Sequence, residues 1–275
     1  MVEANPYAVE FMVPAAWWMT TVDDDDPVRR KRRRGRLRAW ARGVWKRARR
    51  HGAHPVDRLL MLVTVGGRAD SPVLAAETLK PLIDAGTDEG LWPDDDPYHR
   101  VMTCYLNDPR PAPPGKARLY IWILPLAPRG HPLDRLLDAV PGVRGFRVRV
   151  AVPDDEWLTS NMRMTPGEHD RRASAIMRRA RMAWMGRSIG ASAAVVCAVR
   201  YPDSRPRYKG DPDNTAESAT AVWGAGALEG LCPVSPSLFA FMLADGESEP
   251  HTHELDMLAL ATGPDVDWPG LLLGA

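Results

Sequence analysis

The chain has 275 residues, 45% of them hydrophobic and 26% charged, enough apolar sequence to fill one large domain or two small ones and too much for global disorder. Its 36 cations and 35 anions leave a formal net charge of +1, which as a sum argues against a dedicated nucleic-acid binder, although a sum hides segregation. No apolar run reaches the roughly 18–20 residues of a membrane span, no basic start followed by an apolar stretch marks a secretion signal, and Cys104, Cys197 and Cys232 are unclustered, as free thiols in a reducing cytoplasm are.

The first element in chain order is a strand over residues 7–13, where Tyr7, Val9, Phe11 and Val13 alternate with other residues. A helix follows, in which Leu37, Trp40, Ala41, Val44, Trp45 and Ala48 form one apolar stripe at helical spacing. Residues 58–65 read as a second strand, a second helix follows, and residues 118–124 read as a closing strand. Residues 125–145 are Pro- and Gly-rich around a short helix over 133–140 and read as a linker.

The order then begins again. Phe146, Val148, Val150 and Val152 repeat the first strand 139 positions on, and Pro153, Trp157 and Thr159 answer Pro14, Trp18 and Thr20. Ala173, Ile176, Met177, Ala180, Ala183 and Trp184 form the second apolar stripe. Strands over 193–200 and 254–260 match those over 58–65 and 118–124. Pro72, Ala76, Glu77, Gly90, Leu91 and Pro93 recur at an offset of 140 as Pro212, Ala216, Glu217, Gly230, Leu231 and Pro233. The shared register, which includes Trp and Pro, favours duplication over chance. The expected fold is α+β: two tandem domains, residues 1–124 and 146–275, each β-α-β-α-β, joined by the linker and paired as an intramolecular pseudo-dimer that is expected as a monomer in solution.

Charge is segregated along this plan. Residues 29–50 hold 13 Arg or Lys and no acid, whereas acids collect in Asp23 to Asp26 and Asp94 to Asp96. The basic run is too long and too one-signed for an ordinary solvated face, and phosphate is its natural partner. The candidate DNA contacts are Arg29, Arg30, Lys31, Arg32, Arg33, Arg34, Arg36, Arg38, Arg42 and Lys46, with Arg171, Arg172, Arg178 and Arg179 in the weaker second copy.

Acids bracket the second helix of the first copy: Asp70 before it, Asp84 within it, Asp94 and Asp95 after it, with Lys80 between. Carboxylates near a basic surface suit Mg²⁺, a hard cation that takes oxygen ligands and polarises a phosphodiester. Taken singly, each cluster reads better as an acidic helix cap followed by a solvated Asp turn than as a metal site.

At these residues the chain resembles the RusA-type Holliday junction resolvases, phage and bacterial endonucleases whose motif is a D-x-D-N element at a helix start, then Lys, then Asp, then a G-x-x-x-D-D ending. Asp211-Pro212-Asp213-Asn214 of the second copy fits the opening. Lys80, Asp84 and Gly90 to Asp95 of the first copy fit the remainder. The resemblance implies a Mg²⁺- or Mn²⁺-dependent endonuclease on branched DNA, each half standing for one subunit of a homodimer. Asp70, Lys80, Asp84, Asp94 and Asp95 are then the catalytic candidates, and Asp70, Asp94 and Asp95 the metal ligands. Both copies depart from the motif. Ser71 and Val73 stand where Asp211 and Asp213 stand, while Val234, Ser235 and Pro236 stand where Asp94 to Asp96 stand. Thr220 and Gly224 replace Lys80 and Asp84. The first half is the expected active one; a non-catalytic junction-binding protein with decayed sites, or a module docking an acidic partner protein, are the alternatives.

Other patterns are weaker. His251-x-His253-x-x-Asp256 has ligand residue types but reads best as a polar strand start, and His51 and His54 as loop residues after the basic helix. Gly66-Gly67 lacks the G-K-[ST] of a phosphate-binding loop, and no G-x-S-x-G is present.

Overall fold

The computed structural model describes residues 5–20, 26–68, 71–138, 140, 142–159, 162, 164–202, 210–263 and 266–273. It is a mixed α and β structure that divides into two compact units, Met1–Asp134 (with Leu273–Ala275) and Arg135–Leu272. The division falls inside a short helix within the stretch read as a linker.

The first unit runs β1 (Tyr7–Pro14), α1 (Pro27–Arg50), β2 (Leu59–Gly66), α2 (Ala76–Asp88), β3 (Arg100–Asn107) and β4 (Lys116–Pro125), followed by α3 (Pro132–Asp138). Its sheet has the order β1-β4-β2-β3, with β4 antiparallel to both β1 and β2 and β2 parallel to β3. The second unit runs β5 (Gly145–Pro153), α4 (Pro166–Trp184), β6 (Ala193–Arg200), α5 (Ala216–Leu228), β7 (Leu238–Leu243), β8 (Thr252–Ala261) and α6 (Trp268–Leu273). Its order is β5-β8-β6-β7 with the same directions.

Each unit therefore has one more strand than the sequence pattern indicates, β3 in the first and β7 in the second. Both pair in parallel with a central strand and are buried along nearly their whole length, so they lack the alternation that marks a half-buried strand.

α1 starts where Asp26 accepts a hydrogen bond from Val28 N and Pro27 takes the first turn, a carboxylate cap at the positive end of the helix. α4 starts at Thr165, whose hydroxyl accepts from Glu168 N, the first half of a capping box. The apolar stripes predicted for both helices point inward: Leu37, Ala41, Trp45, Ile176, Ala180 and Trp184 are fully buried. Phe11 of β1 meets the rings of Trp40 and Trp45 edge-on, so α1 packs on a face of the first unit's sheet.

The same buried bonds recur about 140 residues apart. Trp45 Nε1 donates to Leu82 O (2.8 Å) and Trp184 Nε1 to Val222 O (3.0 Å). The Thr78 hydroxyl bridges Met19 N and O, and the Ser218 hydroxyl bridges Leu158 N and O. After α2 and α5 the chain turns through Gly90 (φ 67°) and Gly230 (φ 68°), the left-handed conformation that glycine takes at helix ends. A Cβ on Gly86 would lie 2.1 Å from Trp92, and one on Gly226 would lie 2.5 Å from Trp184. The tail absent from the predicted elements ends in α6, where Trp268 is buried and its indole N–H donates to Ser237.

Candidate functional site

α1 packs on α2, and this contact sorts the basic run. Arg30, Arg34, Arg38, Arg42 and Lys46 lie four residues apart and face the acids of α2. Arg34 donates twice to Glu77 (both 2.8 Å), with Arg30 4.0 Å from the same carboxylate. Arg38 grips Asp88 through two bonds and lies 3.6 Å from Asp84. Arg42 and Lys46 meet Glu89 at 2.8 and 3.8 Å. Glu77 and Glu89 are nearly buried. Buried carboxylates need such partners, so this row of predicted DNA contacts also holds the helix pair together.

Arg33 Nη1 lies 3.5 Å from the Trp18 carbonyl. Arg29, Lys31, Arg32 and Arg36 are exposed and take no ion pair or side-chain hydrogen bond among the described residues, as do Arg47 and Arg50 in the last turn. In the second unit Arg171 and Arg172 both bond Glu168, whose carboxyl they pull down to about 2, and Arg179 bonds Glu156. Arg178 is exposed. The predicted cationic surface is thus half committed internally in the first unit and more so in the second.

The first-unit acids divide in the same way. Lys80, one turn before Asp84 on α2, sits 3.5 Å from Asp84 and donates to Asp95 in the turn after the helix. Burial pushes the Asp84 carboxyl up, with Asp95 adding to the shift and Lys80 and Arg38 opposing it. Burial also acts to raise Asp95, but the Lys80 ammonium beside it, with Arg100 adding to the effect, holds it below the usual carboxylate range.

Asp94 is exposed and accepts from Asp95 N. Asp96 caps the turn by accepting from Tyr98 N and His99 N. Asp70 lies outside the described residues. Lys80, Asp84 and Asp95 therefore come together, with Asp94 exposed beside them. Oxygen ligands suit Mg²⁺, but among the described residues no group of three His, Cys, Asp or Glu side chains is placed to hold a metal.

In the second unit Asp211, Asp213 and Asn214 sit at the single-turn 3-10 helix that leads into α5, with Asp213 buried. Tyr201, half-buried, donates to Asp211 O (3.4 Å). Glu217, the counterpart of Glu77, faces His169 (3.2 Å) where the first unit has arginines. Thr220 and Gly224 supply neither the lysine nor the carboxylate of the first unit.

The histidine pattern disperses. His251 and His253 each place Nδ1 3.2 Å from a different oxygen of Asp154. Asp256 bonds Arg147 and Arg149 instead. His54 packs edge-on against Tyr7, and His51 caps α1. Gly67 turns at φ 75°, where a Cβ would meet Ala112 at 2.3 Å. What sequence reasoning missed is the set of α2 acids, Glu77, Asp88 and Glu89, that claims the basic row. Their signal was present as a match in spacing between two amphipathic helices, but nothing in one dimension pairs residues some 45 positions apart.

No helix among the described residues is long and apolar enough to cross a membrane. A scan against models of known protein families finds no match to this chain, and a search of curated proteins likewise finds none.

Proposed function

We propose that the protein binds branched DNA and, through its first half, cuts it in a Mg²⁺-dependent reaction of the kind catalysed by RusA-type resolvases. The observation that carries the reading is the cluster of Lys80, Asp84 and Asp95 on the unit that also bears the exposed arginines of α1. Asp94 and Asp95, with Asp70, are the residues that would hold the metal. Bound there, it would supply Lewis-acid stabilisation of charge on the phosphodiester. Lys80 holds Asp95 ionised, and Arg38 restrains Asp84. The pairing of the two halves as an intramolecular counterpart of a homodimer belongs to the same proposal.

Non-catalytic binding of branched DNA is the second reading. It is favoured by Lys80, whose ammonium already neutralises Asp95, and by the incomplete motif of each half. The experiment is incubation of labelled four-way junctions with Mg²⁺. The nuclease reading expects cleavage by the wild type that is lost in Asp94→Ala and Asp95→Ala. Binding without cleavage leaves the second reading; equal cleavage by the variants refutes the site.

A further inference from the structure

The exposed cations of α1 are not spread evenly. At about 100° per residue, Arg29, Arg32, Arg36, Arg47 and Arg50 fall within a sector of roughly 60° on the helix surface. None takes an ion pair or side-chain hydrogen bond among the described residues. Along the axis they form two groups. Arg29, Arg32 and Arg36 occupy the first turns and Arg47 and Arg50 the last. Between Arg36 and Arg47 the helix rises about 16 Å at 1.5 Å per residue. Within that interval the outward sector carries Ala39, exposed, and Gly43, half-buried, with half-buried Trp40 and exposed Lys46 at its two edges.

We infer that α1 lies across a groove of duplex DNA, the N-terminal arginines on the phosphates of one strand and Arg47 and Arg50 on those of the other. This rests on the DNA-binding reading above and specifies its geometry. A groove about 12 Å wide lies within the span between the two groups once flexible side chains bend inward. Guanidinium groups suit phosphate oxygens through paired donors. Ala39 and Gly43 leave the centre of that sector low, so the helix axis can approach the duplex there. The pairs to α2 contribute in a different manner: they fix the rotation of α1 about its own axis, so that this sector faces outward.

The test is fluorescence anisotropy of a labelled duplex and a four-way junction across a salt series, using the full chain. Each phosphate contact contributes about −0.9 to the slope of log affinity against log salt. The Arg29→Gln, Arg32→Gln, Arg36→Gln triple variant is expected to flatten the slope by about 3, and the Arg47→Gln, Arg50→Gln double variant by about 2. Ala39→Trp, on the exposed middle, is expected to weaken binding at least tenfold on the order set by a lost close approach, with an unchanged melting temperature. Slopes that flatten for one group only, or wild-type affinity in Ala39→Trp, would overturn the straddling geometry while leaving DNA binding intact. Absence of DNA binding by the wild type would sink both.

Discussion

Replacing Glu77 with Gln separates the two tasks assigned to the basic helix. The Glu77 side chain is only 2% exposed, and both its oxygens accept from Arg34, with Arg30 at 4.0 Å. A hydrogen bond to a charged group is worth about 1.5–3 kcal/mol. Gln keeps one acceptor, and Arg34 at 40% exposure regains water once released. The cost is therefore set at about 2 kcal/mol, below the roughly 3–5 kcal/mol of stranding a charge in the interior. For a protein of this size that lowers the melting temperature by about 4–8 °C. DNA affinity and its salt slope should stay close to wild type, because Arg30 and Arg34 face α2 rather than the outward sector and Arg38 and Arg42 still hold the rotation of α1. Differential scanning calorimetry and anisotropy on the same preparation check both. An unchanged melting temperature, or affinity that falls with stability, would refute the division of the arginines into a structural row and a phosphate-facing row.

Three further outcomes follow from the geometry. Gly86→Ala and Gly226→Ala place a Cβ 2.1 and 2.5 Å from a tryptophan ring and are expected to cost about 1–3 kcal/mol each by overpacking, read as a lower denaturation midpoint. His253, stacked on Trp157 at 4.1 Å, is held by burial at a pKa of about 4, with Asp154 opposing the shift. The unfolded chain takes up that proton near pH 6.5. Stability is thus full above pH 6.5 and falls as pH drops toward 4, by roughly 1–3 kcal/mol; in His253→Phe this component of the acid loss, seen in urea midpoints across pH, should disappear. Lys80→Met removes the cation between Asp84 and Asp95, so both carboxyls should titrate at higher pH by carboxyl-resolved NMR. A titration of Asp95 unchanged in that variant would show that Lys80 does not set its ionisation.

Much of the architecture is legible in one dimension because it follows simple periods. Strict alternation from Tyr7 to Val13 and from Phe146 to Val152 marks β1 and β5, and the Trp45 and Trp184 stripes mark α1 and α4. The repeat is legible because its anchors are costly residues in fixed register, such as the glycines after α2 and α5 and the two tryptophans that bond the following helix. β3 escapes the same reading because Arg100 and Thr103 are buried polar residues that bond each other (2.6 Å) within a strand covered on both faces. The candidate site is half legible. Lys80 and Asp84 share a helix face by spacing alone, and Asp95 reaches them only because the Gly90 turn folds the following segment back. The capture of Arg34, Arg38 and Arg42 by α2 acids depends on helix packing, which charge runs do not encode.

If the first half carries metal-dependent chemistry, a crystal structure of the full chain grown with Mn²⁺, with its anomalous scattering mapped, should reveal the ion there. A peak bound by Asp94 and Asp95 with Asp70 is expected, and none at Asp211 and Asp213. A map with no peak at the first-half acids, and with Lys80 still donating to Asp95, would contradict that chemistry and leave a DNA-binding protein without a nuclease centre.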